Sequence, residues 1–358
     1  MRLNAGGLSS LVIGRNKEII RLQEYIKMSQ HVAIIAPRRY GKTTLVNEVI
    51  RGFKDKGHLI AKVDIFKASS IREFCDLIID ATYHSIGISG FIKDAKDNVV
   101  DLMSRLNLEA YDIKLGYDLL REQNENELVK KTLELPELFA KKHNKKMIMF
   151  FDEFGDLKKF GDDFIKKMRG YFQTQGEVVY IFAGSQHSTM HNIFLNKENA
   201  FFNFASLMEI GLLDDYAVKD FISDLEISGV DFDDNGQIAV SRIANNHPFY
   251  LIKLIQESYI DALINGNSTI TDTNVVGARD KILSDNSAFF EAEWQKINIK
   301  KYKGIIFKEL CGMDIAGLEK VSPSYKSQII KELIQESIVN SDKKPTDPFF
   351  AFWIRAGS

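Results

Sequence analysis

The chain has 358 residues, 45% of them hydrophobic and 27% charged, with a formal net charge of -2. That length exceeds what one hydrophobic core usually serves, so two or three domains are expected. The near-neutral balance excludes a global positive field for nucleic acid, though not a local patch, and no polybasic tail points to a membrane. Cys75 and Cys311 lie far apart, without zinc-type spacing, and each sits in an amphipathic stretch. Met1 to Ser10 lacks a charged-then-apolar leader pattern, and no apolar run nears the ~18 residues that span a bilayer. A cytoplasmic, reducing location away from membranes is expected.

In chain order, residues 31–36 form an apolar run ending at a turn, the pattern of a strand buried on both faces. Helical spacing begins at Gly41. Residues 59–66 predict a second strand and 71–86 a helix. Residues 87–125 are polar and fit poorly; they read as an insertion containing some helix. Met147 to Phe151 is an apolar strand ending at Asp152-Glu153, and Val178 to Ala183 another, ending at Gly184-Ser185. Strands alternating with helices predict an α/β fold with a parallel sheet. After about residue 211 the strand pattern stops, and 214–225, 237–245 and 249–260 have helical spacing, the sign of a small all-α domain. Residues 265–268 form a loop. The last segment, from about 298, carries helical spacing over 299–310 and 324–337 and a short extended end.

The chemistry begins at Ala36-Pro37-Arg38-Arg39-Tyr40-Gly41-Lys42-Thr43-Thr44. Gly41-Lys42-Thr43 fit the phosphate-loop rule, with Ala36 where the first glycine stands; a small residue suffices there if its φ is negative. Backbone N–H groups from about Arg39 to Thr44 and the positive end of the following helix can grip a polyphosphate. Lys42 then reaches the β- and γ-phosphates, and the Thr43 hydroxyl coordinates Mg²⁺. ATP with Mg²⁺ is the implied ligand pair. A hundred residues on, an apolar strand ends in two acids. It is expected beside the phosphate-loop strand, with Asp152 on the Mg²⁺ and Glu153 placed to orient or deprotonate the attacking water. Ser185 or Gln186, at the next strand end, can reach the γ-phosphate or that water.

Together these residues resemble the archaeal-type ATPase family, P-loop ATPases akin to the STAND and AAA+ groups, over nearly the whole chain. Val12-Ile13-Gly14-Arg15 with Glu18 resembles the N-terminal box that in relatives lies against adenine. Pro37-Arg38-Arg39 with Gly41-Lys42-Thr43 resembles the arginine-rich phosphate loop, with Ala36 and Thr44 as departures. Phe150 to Phe154 resembles the acidic strand end, and Phe182 to Ser185 with Met190 the segment after it. Asn246-His247-Pro248 resembles the helical-domain turn that closes over the base, Asn246 replacing a glycine. Asp347-Pro348-Phe349-Phe350 through Trp353 and Arg355 resembles the ending of the family's winged-helix domain. The resemblance implies an ATPase core over 1–212, a helical lid over 213–296 and a winged helix over 297–358.

Arg38 and Arg39 have phosphate, a neighbouring acid or a partner as alternatives. Arg169 is a weak candidate for a transition-state arginine, so slow hydrolysis by an isolated monomer is expected. Lys300 to Arg355 carries ten basic and seven acidic residues, too even a balance for strong phosphate contacts with duplex DNA. His187 and His191, four apart, read as a surface pair, and His31 and His247 sit on other elements. The leading reading is an ATP-driven switch whose output passes through the C-terminal domain to a protein partner, a second copy or DNA. A DNA-binding or replication-associated ATPase, a small-molecule kinase and a non-hydrolysing ATP-binding scaffold stand as alternatives.

Overall fold

The computed structural model describes residues 12–87 and 122–357, apart from 224, 226, 228–229, 301, 317 and 319–320. The insertion expected over 87–125 falls outside the described residues except at its ends.

Five strands form one parallel sheet: β1 (Val32–Ile35), β2 (Leu59–Asp64), β3 (Met147–Asp152), β4 (Val178–Gly184) and β5 (Ser206–Glu209), in the order β2-β3-β4-β1-β5. Alternate side chains divide between two faces, as the period-2 pleat requires. Val32, Ile34, Ile148 and Phe150 pack with Leu45, Val46 and Val49 of α2 (Lys42–Lys54) and with Leu22 and Ile26 of α1 (Asn16–Lys27). Ala33, Ile35, Met149 and Phe151 face α3 (Ile71–Ser85), α4 (Glu125–Lys142), α5 (Asp162–Phe172) and α6 (His187–Leu195). Burial on both faces is why these strands read as unbroken apolar runs.

Two expectations need correction. The acidic strand β3 does not lie beside β1, because β4 stands between them. The chain leaves β1 through α2, which lies across β3 and β4, and re-enters the sheet at its far edge as β2. The loop and the acidic strand end therefore meet through the start of α2 rather than through strand neighbours. A fifth strand, β5, also pairs with β1. Its four residues are buried only at Met208, so no apolar run marks it.

The chain continues with α7 (Asp215–Ser223), α8 (Asp234–Ala244), α9 (Pro248–Ile264), α10 (Asp272–Asp285) and α11 (Ser287–Asn298). Two-residue strands at Asp231–Phe232 and Thr269–Ile270 pair in parallel, so extended pairing does not end at 211. Then come α12 (Lys303–Leu310), α13 (Pro323–Gln335), an antiparallel bridge between Val339 and Pro345, and α14 (Pro348–Arg355). Asp347 caps α14 by accepting from the N–H groups of Phe349 (2.9 Å) and Phe350 (3.0 Å), and Pro348 occupies the first turn, where no N–H is needed. One continuous apolar cluster runs from Leu213 through Tyr250, Trp294 and Phe307 to Ile354. The helices after the sheet and the C-terminal segment thus share a core separate from that of the sheet.

Candidate nucleotide site

β1 delivers the loop 36–41 to the start of α2. The left-handed positions of the loop are Arg39 (φ 67°) and Gly41 (φ 87°), while Ala36 keeps ordinary backbone geometry, so the missing first glycine costs nothing. Gly41 is the N-cap of α2 without a side-chain cap, which leaves the first N–H groups of the helix available to an anion. Thr43, one residue into the helix, donates its hydroxyl to Asp152 Oδ2 at 2.7 Å. A hydroxyl and a carboxylate of opposite elements meet there, the hard-oxygen pair that suits Mg²⁺. Burial pushes the Asp152 carboxyl up, and the Thr43 bond offsets this.

Lys42 is buried and donates to the carbonyls of Ala36 (2.8 Å) and Pro37 (3.1 Å). Burial lowers its pKa, opposed by the negative charges of Glu153 and Asp152. Glu153 itself sits at φ 50°, in the left-handed region that a side chain adopts only at some cost. Its Oε2 accepts from the Ser185 hydroxyl at 2.7 Å and the Ser185 N–H at 3.2 Å. Ser185 thus holds the glutamate rather than pointing freely at the loop. Gln186 turns away, donating to Asp156 at 3.3 Å.

The remaining expected residues divide. Arg38 is exposed, and its charge is felt by Lys42 and Asp156, so it flanks the site. Arg39 leans the other way, its guanidinium 4.5 Å from the Phe249 ring centroid and 5.9 Å from that of Phe289. Tyr40 donates its hydroxyl to the Thr346 carbonyl at 3.0 Å and packs edge-on to His247. Thr44 lines a separate cleft of about 640 Å³ between α2, β2 and α3. Arg15 is 5% exposed and donates to the carbonyls of Gly211 (2.7 Å), Tyr40 and Leu212 (3.3 Å each). Its guanidinium ties the N-terminal box to the loop. Val12 is half-buried, and Ile13 joins the second core. Gly14 (φ 59°) has no room for a side chain: a Cβ would stand 2.4 Å from that of Ala217. His247 is buried between Tyr40 and Tyr250, and Pro248 opens α9 behind it. Arg169 lies over Phe204 at 4.1 Å and its charge acts on His31, which precedes β1. That is the opposite end of the strand from the loop, so Arg169 does not face a phosphate.

Contacts that no sequence pattern marks also reach the site from the C-terminal segment. Besides Tyr40–Thr346, the Ser337 hydroxyl accepts from the His187 N–H at 3.3 Å and donates to the Ser185 carbonyl at 3.5 Å. Ser188 donates to the Gln335 carbonyl at 2.7 Å. Nothing local in a serine announces such a bond. Among the described residues, no helix is long and apolar enough to cross a membrane.

A five-stranded parallel sheet, a loop-to-helix anion cradle and an acidic strand end meeting it define a P-loop ATPase. The model of an ATPase domain found predominantly in Archaea matches residues 13–254, and the chain belongs to that family. Comparison with curated proteins gives no match. Among solved structures, the chain is similar to a Walker-type ATPase of Pyrococcus abyssi at TM-score 0.67 and 15% identity, covering 96% of each chain. It is also similar to the Aeropyrum pernix ORC2 protein in its ADP form, at TM-score 0.57 and 12% identity, covering 99% of this chain and 97% of that one. A third likeness is to the Aeropyrum pernix ORC1 protein in complex with DNA, at TM-score 0.53 and 12% identity, covering 99% and 95%. At such identities these likenesses speak for the fold.

Proposed function

We propose that the protein is a Mg-ATP-hydrolysing switch whose C-terminal part senses the nucleotide. The carrying observation is the 2.7 Å contact between Thr43 and Asp152, with Glu153 held beside it by Ser185. The N–H groups at the start of α2 bind the phosphates, and Lys42 moves from its two carbonyl partners to the β- and γ-oxygens. Thr43 and Asp152 would hold Mg²⁺, which when bound neutralises charge on those oxygens. Glu153 takes a proton from the attacking water, and Ser185, donating two bonds to its carboxylate, positions it. Arg38 flanks the γ-phosphate side.

Transmission runs through the polar contacts of the C-terminal segment. Tyr40 in the loop touches Thr346, and Ser185 and His187 touch Ser337. We read 1–212 as the core, 213–296 as the lid and 297–358 as a winged helix that reports the state of the site to a protein partner or a second copy. Following phosphate release tests this: Glu153→Gln is expected to lower kcat by about 100-fold or more while nucleotide binding persists. Unchanged release in that variant contradicts it.

Duplex DNA as the partner rests on the likeness to the ORC1 complex alone. Three ion pairs oppose it: Lys326 of α13 binds Glu309 at 2.6 Å, and Glu332 of the same helix and Glu336, which caps its end, bind Lys300 (2.7 Å) and Lys303 (2.6 Å). The helix offers little net positive charge to phosphates. An affinity for duplex that falls steeply with salt would restore this reading.

A further inference from the structure

His187 and His191 occupy one face of α6, and the fold brings the exposed carboxylate of Glu209, the last residue of β5, onto them. His191 Nε2 stands 2.8 Å from Glu209 Oε1, and His187 Nε2 stands 3.6 Å from the same oxygen. The two rings stack with centroids 4.0 Å apart and an angle of 25° between their planes. One hydrogen bond accounts for His191. It does not account for a second imidazole laid parallel to the first with its own Nε2 turned on the same oxygen. We propose that His187, His191 and Glu209 bind one Zn²⁺ ion through two Nε2 atoms and a carboxylate oxygen.

Three observations carry this. The donor set is the borderline nitrogen and oxygen mixture that Zn²⁺ takes, and the four-residue spacing on a helix places two imidazoles on one ion. The three ligand atoms lie within 4.8 Å of one another. A tetrahedral site with bonds of ~2.1 Å needs them about 3.4 Å apart, a difference that rotation of the exposed Glu209 and the half-buried histidine side chains supplies. Finally, His187 and Glu209 both line a cavity of about 300 Å³ between β5, the phosphate loop and the C-terminal bridge, which Pro37 and Asp342 also line. A fourth coordination position therefore opens on a cavity, where water or a further ligand can enter. The ion would pin α6, which begins two residues after Ser185, to the edge strand that pairs with β1. The site is independent of the Mg²⁺ pair at Thr43 and Asp152.

The test uses the full, untagged chain stripped with EDTA and titrated calorimetrically with Zn²⁺ alone. One ion per chain with Kd below ~1 µM is expected, together with the intense visible absorption of a tetrahedral site when Co²⁺ is substituted. Glu209→Gln keeps a hydrogen-bonding partner for His191 and removes the charged ligand; it should weaken Zn²⁺ by about tenfold or more. His191→Ala should abolish the Co²⁺ spectrum. Zn²⁺ should also raise Tm in the wild type, and at the same Zn²⁺ concentration should raise it less in Glu209→Gln. Affinity weaker than ~10 µM, or tight binding that both variants retain, overturns the proposal. Should His191→Ala fail to fold, Glu209→Gln alone decides, since its substitution is at an exposed edge.

Discussion

At the scale of single residues, the site is held by charge-assisted bonds in a half-buried setting. Ser185 donates twice to Glu153, and bonds to a charged acceptor are worth about 1.5–3 kcal/mol each. Ser185→Ala should therefore lower kcat by about tenfold or more, with KM nearly unchanged, and Ser185→Thr should recover most of it. Equal loss in both variants would show that packing, not the hydroxyl, matters. His247 is a second residue with a sharp expectation. Burial first, then the charge of Arg39, pushes its pKa from 6.5 down to about 3. Among the described residues, its Nδ1 has no hydrogen-bond partner. Between those values the unfolded chain binds a proton that the folded chain refuses. This contribution to stability is therefore full above pH 6.5 and is lost as pH falls toward 3, by an amount on the order of 5 kcal/mol. His31, pushed down to about 4 by burial and Arg169, adds in the same direction. Urea midpoints measured against pH should flatten in His247→Gln; an unchanged slope would remove His247 from the account.

At the scale of elements, close packing joins pieces that are distant in sequence. Gly14 lies against Ala217 of α7, with a left-handed φ of 59°. Gly14→Ala should cost about 2–4 kcal/mol through backbone strain and overpacking together. Adding Ala217→Gly should return the overpacking part, and thermal melting of the pair measures it; no recovery would mean the strain is all backbone. How much of this was legible follows from what made each element. Strands β1, β3 and β4 are buried on both faces and stand out as apolar runs. Asp152 and Glu153 were found because acids at the end of such a run are conspicuous. The short edge strand β5 has one buried residue and no such signature. The place of β4 between β1 and β3 was hidden because strand order depends on where crossovers land, which no local pattern records. Ser185 was expected near the γ-phosphate; its bond to Glu153 depends on the left-handed turn at Glu153, which propensity does not foresee. Glu209 came to His187 and His191 only through the pairing of β5 with β1.

At the scale of the whole molecule, the described residues form two apolar bodies whose junction beside the phosphate loop is largely polar. The sheet has its two cores, and everything from Leu213 to Ile354 shares another. Polar junctions such as Tyr40–Thr346 and Ser185–Ser337 yield more readily than a continuous apolar core. The helices after the sheet and the C-terminal segment should therefore move together. Spin labels at the exposed positions Ile238 and Lys343, introduced as cysteines, should keep their separation when Mg-ATP is added. Labels at Met28 and Lys343 should change theirs. A shift within the first pair and none in the second would place the hinge inside the second body instead.

The central claim is that Thr43 and Asp152 meet across the metal of a bound nucleotide while Lys42 grips its phosphates. Calorimetric titration of ATP into the full chain, with and without Mg²⁺, measures it directly. Mg²⁺ should tighten ATP binding by about tenfold or more in the wild type, Asp152→Asn should lose most of that gain, and Lys42→Ala should bind weakly in either condition. Equal affinity with and without Mg²⁺, or an Asp152→Asn variant with the full Mg²⁺ gain, would contradict it.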